Sequence, residues 1–143
     1  MLFIFDENLP PKLANVIKAL DEENAKIHEI YSVQDLDFKG VSDVELFGKI
    51  RELSNKNKCI FISGDGMILK RKPEIDELKK QNLIAFICPP SITQQKMFLR
   101  AVYVVNCWKS LVAVAEGSRE KSVYKLPAKS FNLTENEIKR NQI

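Results

Sequence analysis

Apolar and polar positions fall along this chain in two kinds of block. Short, almost wholly apolar runs recur as "LFIF" (2–5), "CIFIS" (59–63) and "LIAFIC" (83–88). Runs without a polar face mark strands buried on both sides of a sheet. Between them lie segments with helical spacing. Residues 10–22 open on Pro10 and Pro11, where a missing N–H costs nothing, and carry Leu13, Val16, Ile17 and Leu20 as an apolar stripe. "KIHEIYS" (26–32) alternates like a strand, and a loop follows to Gly40. "SDVELFGKIREL" (42–53) starts with Ser42 and has Glu45 three residues on, a capping-box signature. "GDG" (64–66) reads as a turn, 67–72 as a helical turn and 73–80 as a helix. Residues 92–115 predict a long helix, apolar around most of its circumference and so central to the packing. "SVYKLPA" (122–128) predicts an edge strand blunted by Pro127, and the last fifteen residues are polar. Strand and helix alternate throughout. The predicted fold is α/β: a mainly parallel central sheet of four to five strands flanked by helices, in one domain spanning 1–143.

That alternation directs attention to one edge, because ligands in such sheets bind beyond the carboxyl ends of the strands. Two strands end there in acids: the first in Asp6, Glu7 and Asn8, the third in Gly64, Asp65 and Gly66. The intervening helix offers a third. With Asp43 at zero on a helical wheel, Phe47, Ile50, Leu46 and Leu53 fall between about +40° and −80°. Asp43 therefore shares the inward face, whereas Glu45 points outward and serves as a cap. Three converging carboxylates raise one another's pKa, and a hard divalent cation relieves that cost. Each acid also has a plainer explanation as a helix cap, a turn residue or a partner of the helix dipole. Only their convergence favours a site. His28, within the predicted strand, is expected to be structural, and Tyr103 and Trp108 to be core.

Composition refines this picture in two ways. The net charge of +3 divides unevenly: residues 1–66 hold 8 basic and 12 acidic residues, residues 67–143 hold 14 and 7. An acidic half beside a basic half suits a cation site next to an anion-binding surface, although a solvated basic face accounts for the count as well. Cys59, Cys88 and Cys107 stand singly in apolar contexts, which points to buried free thiols rather than zinc ligands or disulfides, and to a cytoplasmic setting. Met1 runs straight into strand-like residues without a basic leader. The longest apolar stretch, 101–115, is interrupted by Asn106, Lys109 and Ser110, and is expected not to span a membrane.

"FDENLPPKLANVIKAL", "GVSDVELFGKI" and "CIFISGDGMIL" together resemble the PIN-like nucleases, in the compact branch that opens on "FDENLP" and includes VapC-type toxins. The resemblance covers roughly residues 2–88. It implies a metal-dependent endoribonuclease, the toxin of a toxin–antitoxin pair, using Mg²⁺ or Mn²⁺. Asp6, Asp43 and Asp65 would hold the metal and carry catalysis, and Asn8 would help order the site and meet substrate. Lys70, Arg71 and Lys72 follow the third acid and would steady RNA phosphates. A cognate antitoxin and a homodimer are the partners it brings. The chain departs from the family in lacking an acid just after Asp65; Glu7, Glu74 and Asp76 are the substitutes available. Where relatives commonly have Thr, it has Ser63. The missing fourth acid supports the alternative of a catalytically weak or inactive PIN-like binding module in an RNA- or antitoxin-associated complex. A phosphoacceptor receiver domain, which also places acids at strand ends, lacks the Lys it would need after a later strand.

Overall fold

The computed structural model describes residues 1–128 and 138–141. Six strands form one sheet: β1 (Leu2–Phe5), β2 (Glu29–Ser32), β3 (Cys59–Ser63), β4 (Ile84–Ile87), β5 (Val123–Lys125) and β6 (Lys139–Asn141). Their spatial order is β2-β1-β3-β4-β5-β6. The first five run parallel, and β6 pairs antiparallel with β5. The helices are α1 (Leu13–Leu20), α2 (Glu22–Ile27), α3 (Asp43–Leu53), α4 (Lys72–Lys80), α5 (Pro90–Thr93) and α6 (Met97–Gly117).

Strand residues alternate between two cores, as the pleat requires. Phe3, Phe5, Ile60, Ile62, Ile84 and Phe86 face α1 and α6, meeting Leu13, Ile17, Tyr103, Val104, Trp108 and Leu111. Leu2, Ile4, Cys59, Phe61 and Ala85 face the other way, onto Leu46, Phe47, Ile50 and Leu78 of α3 and α4. All three cysteines are buried and free. The three-layer α/β arrangement is the one the sequence predicts.

Several boundaries differ from expectation. The helix expected over 10–22 is split, because Asp21 ends α1 and caps α2, its carboxylate accepting from the Asn24 amide. Lys26 and Ile27 are thereby drawn into α2, and the strand predicted from residue 26 starts at Glu29. His28 is the residue closing α2, not a strand residue; it packs edge-on against Phe3 at the opposite end of the sheet from Asp6. The long helix starts five residues late, at Met97, because a short α5 uses Pro90 to begin and ends at Thr93. Leu53, placed on the inward face by the wheel, is 43% exposed at the last residue of α3.

The strand predicted at 122–128 is shorter and is not an edge. It lies between β4 and β6, and Pro127 follows it rather than blunting it. Within the final fifteen residues, Lys139–Asn141 add a strand, while 129–137 and 142–143 lie outside the described residues. α6 is, by length and hydropathy, apolar enough to cross a membrane, contrary to the estimate made from 101–115. Tyr103, Val104, Cys107, Trp108, Leu111, Val112 and Ala115 of this helix are buried in the packing, whereas Met97, Phe98 and Leu99 at its start are exposed.

Candidate functional site

Because β1 and β3 are adjacent and parallel, Asp6 and Asp65 leave the sheet at the same edge. Ser63, the last residue of β3, ties them together. Its fully buried hydroxyl donates to Asp6 Oδ2 at 2.6 Å and accepts from the Asp65 backbone N–H at 2.9 Å. The other Asp6 oxygen accepts from the Glu7 N–H at 2.8 Å. Burial pushes Asp6 up to about 6. The bonds from Ser63 and Glu7 oppose this shift, and the charges of Asp43 and Glu7 add to it.

Asn8 braces the same edge. Its side-chain oxygen accepts from the Gly64 N–H at 2.9 Å, and its amide nitrogen lies 3.5 Å from Ser63 Oγ. Arg100 of α6 holds the loop from behind, donating to the carbonyls of Asn8, Thr93 and Gln95. Gly64 has no room for a side chain, since a Cβ there would sit 2.6 Å from Thr93 Cγ2. The short 3₁₀ turn Gly66–Lys70 then starts with the Asp65 carboxylate accepting from the Met67 N–H.

Asp43 begins α3, where Ser42 caps the helix by accepting from the Glu45 N–H. As the wheel predicts, Asp43 is half-buried and Glu45 exposed. Burial raises the Asp43 pKa, the charges of Asp65 and Glu74 raise it further, and Arg71 opposes them. Arg71 joins these groups: its Nη1 lies 3.2 Å from Asp65 Oδ2, 3.6 Å from Glu74 Oε1 and 3.9 Å from Asp43 Oδ2. One cationic nitrogen thus faces carboxylates from the β3 loop, α3 and α4.

Of the three acids available as a fourth, Glu74 is the one that faces Arg71 together with Asp43 and Asp65. The Glu7 carboxylate accepts from the Gly40 N–H while its charge still bears on Asp6 and Asp43, and Asp76 pairs with Lys72. Of the basic residues expected to meet phosphate, Arg71 turns onto the acids and Lys72 onto Asp76. Lys70 lines an open cavity of about 320 Å³ with Gly64, Asp65, Gly66, Met67, Pro90 and Thr93. The role of Glu74 had one sequence signal: it stands three residues after Arg71 in the first turn of a helix, on the same face. The bracing by Arg100 had none, since it acts across more than ninety residues.

Among the described residues, no three His, Cys, Asp or Glu side chains form a ready-made metal cage. The donor chemistry nevertheless suits a hard divalent cation: the acids that gather offer only carboxylate oxygens, and they already share one positive charge. A family model described as "PIN like domain" matches residues 1–90. PIN-like domains are generally nucleases that use divalent metals. No curated protein and no solved structure matches the chain. The match spans more than half of the 143 residues and takes in every element that bears the gathered carboxylates, so the chain belongs to the PIN-like domain family.

Proposed function

We propose that this protein is a metal-dependent endoribonuclease, the toxin of a toxin–antitoxin pair of the VapC type, working in the cytoplasm. The observation that carries the reading is the meeting of Asp43, Asp65 and Glu74 around one cationic nitrogen, with the buried Asp6 beside them. Asp6, Asp43 and Asp65 would hold Mg²⁺ or Mn²⁺, with Glu74 completing the set. When bound, such an ion supplies an activated water and charge stabilisation at a phosphodiester. Ser63 and the Glu7 amide fix the Asp6 carboxylate in place, and Asn8 with Arg100 keeps the two strand ends in register. Lys70, on the cavity beside Asp65, is positioned to meet a phosphate of the RNA chain. A cognate antitoxin and a homodimer are the associations this role would bring.

The test replaces Asp6 or Asp65 with Asn and measures RNA cleavage in Mn²⁺ and in EDTA. Metal-dependent cleavage by the parent, reduced at least a hundredfold in both variants, is the expected result. Undiminished cleavage by the variants rejects the assignment.

One observation favours a second reading, a non-catalytic PIN-like module that binds an antitoxin or RNA complex. Arg71 already neutralises part of the cluster, and both Asp6 oxygens are hydrogen-bonded. A protein whose thermal stability is unchanged by Mn²⁺ would belong to that class.

A further inference from the structure

Arg71 stands between the 3₁₀ turn and α4, with its side chain 44% exposed, yet it turns toward the acids. Among the described residues its three ion pairs are recorded at Nη1, at 3.2, 3.6 and 3.9 Å, and only the first, to Asp65, is a hydrogen bond. A guanidinium holds a carboxylate most strongly through two parallel N–H bonds, so this single-nitrogen hold is the weaker kind. It is nonetheless central, because Asp43, Asp65 and Glu74 come from three separate elements and Arg71 faces them all. An arginine placed so occupies the space and the negative charge that a divalent ion would need. Its exposed flank leaves a path by which the side chain can move aside.

We propose that Arg71 is a tethered counterion that competes with the divalent cation for Asp43, Asp65 and Glu74. This rests on the metal-site reading above and adds a control to it. Without metal, Arg71 limits repulsion among the acids and keeps the strand edge assembled. Metal enters by displacing one arm of the protein's own charge rather than by filling a vacant cage. The weak hold makes the exchange reversible, and the displaced guanidinium stays within a side chain's length of the cluster. This explains why carboxylates that converge from three elements do not form a ready-made cage among the described residues.

The experiment measures Mn²⁺ binding to the full chain by electron paramagnetic resonance of the free ion, for the parent, Arg71→Gln and Arg71→Lys. Arg71→Gln is expected to bind Mn²⁺ about five- to tenfold more tightly, the scale on which partly exposed ion pairs act when several share one site. Arg71→Lys keeps the charge and is expected to stay within about twofold of the parent. In EDTA, Arg71→Gln should melt below the parent, and saturating Mn²⁺ should close that gap. A residue that merely supported the fold would lower the melting temperature in both conditions. Equal or weaker Mn²⁺ binding by Arg71→Gln, with an unchanged circular dichroism spectrum, would overturn the inference while leaving the metal site standing. No binding by any of the three proteins would overturn the metal-site reading, and this inference with it.

Discussion

Asp6 holds its charge at a cost, because burial raises its pKa from 3.8 to about 6. The folded state therefore binds its proton more tightly than the unfolded state does. The penalty, about 3 kcal/mol at most, is complete above pH 6, shrinks as pH falls through 6, and is gone below about 4. Asp6→Asn removes the charge but accepts less well from Ser63 and the Glu7 amide. In EDTA it is expected to exceed the parent in stability by ~1–2 kcal/mol at pH 8. That advantage should disappear by pH 4. Urea denaturation of both proteins across this range is the check, and a pH-independent difference would contradict the account. A carboxylate kept at such a cost fits the metal site proposed for this edge. The same residue shows what sequence can disclose. Asp6 and Asp65 were legible because an apolar strand ending in an acid is a conspicuous change of pattern. Arg71 was not, because a basic residue in a loop gives no sign of whether it turns outward to a phosphate or inward to its neighbours.

Elements set these residues in place, and the helices were harder to delimit than the strands. Wholly apolar runs such as Phe3–Phe5 and Ile60–Ile62 can satisfy only a sheet covered on both faces, so β1, β3 and β4 could be read almost to the residue. Asp21 was hidden because its effect depends on a tertiary partner. Besides capping α2, it accepts from the buried Trp108 Nε1 at 2.9 Å, tying the α1–α2 junction to α6. Asp21→Ala should remove a helix cap and orphan a buried indole N–H, costing about 2–4 kcal/mol. Asp21→Asn keeps one acceptor oxygen where the carboxylate uses two, Oδ1 for the Asn24 N–H and Oδ2 for Trp108, and should cost less than Asp21→Ala, about 1–2 kcal/mol. Chemical denaturation of the two variants distinguishes them; equal losses would mean that charge, not hydrogen bonding, holds this junction. The β5–β6 pairing was illegible for another reason. Val123–Lys125 and Lys139–Asn141 are three residues each, too short to show a period, and β6 is polar enough to read as a tail.

Across the molecule, charge is unevenly divided: acids gather at the carboxyl edge of the sheet, and the second half of the chain is basic. The proposed RNA contact predicts salt-sensitive binding, with affinity falling as counterions compete for the basic residues. Lys70, free to face the cavity, should matter more than Lys72, which is engaged with Asp76. In a binding-competent, cleavage-deficient Asp65→Asn background, Lys70→Ala is expected to reduce the salt slope of RNA binding by about 1 and Lys72→Ala by less. Fluorescence anisotropy at several salt concentrations reads both. The family was legible because its signature lies in local motifs around the first and third strands, whereas the gathering of the acids depends on β1 and β3 becoming neighbours. The central claim is that this gathering receives a divalent ion. Anomalous diffraction from a crystal soaked in Mn²⁺ tests it most directly. The account predicts a peak bounded by Asp6, Asp43 and Asp65, with the Arg71 side chain withdrawn; a soaked crystal with no peak at that edge, and Arg71 still against Asp65, would contradict it.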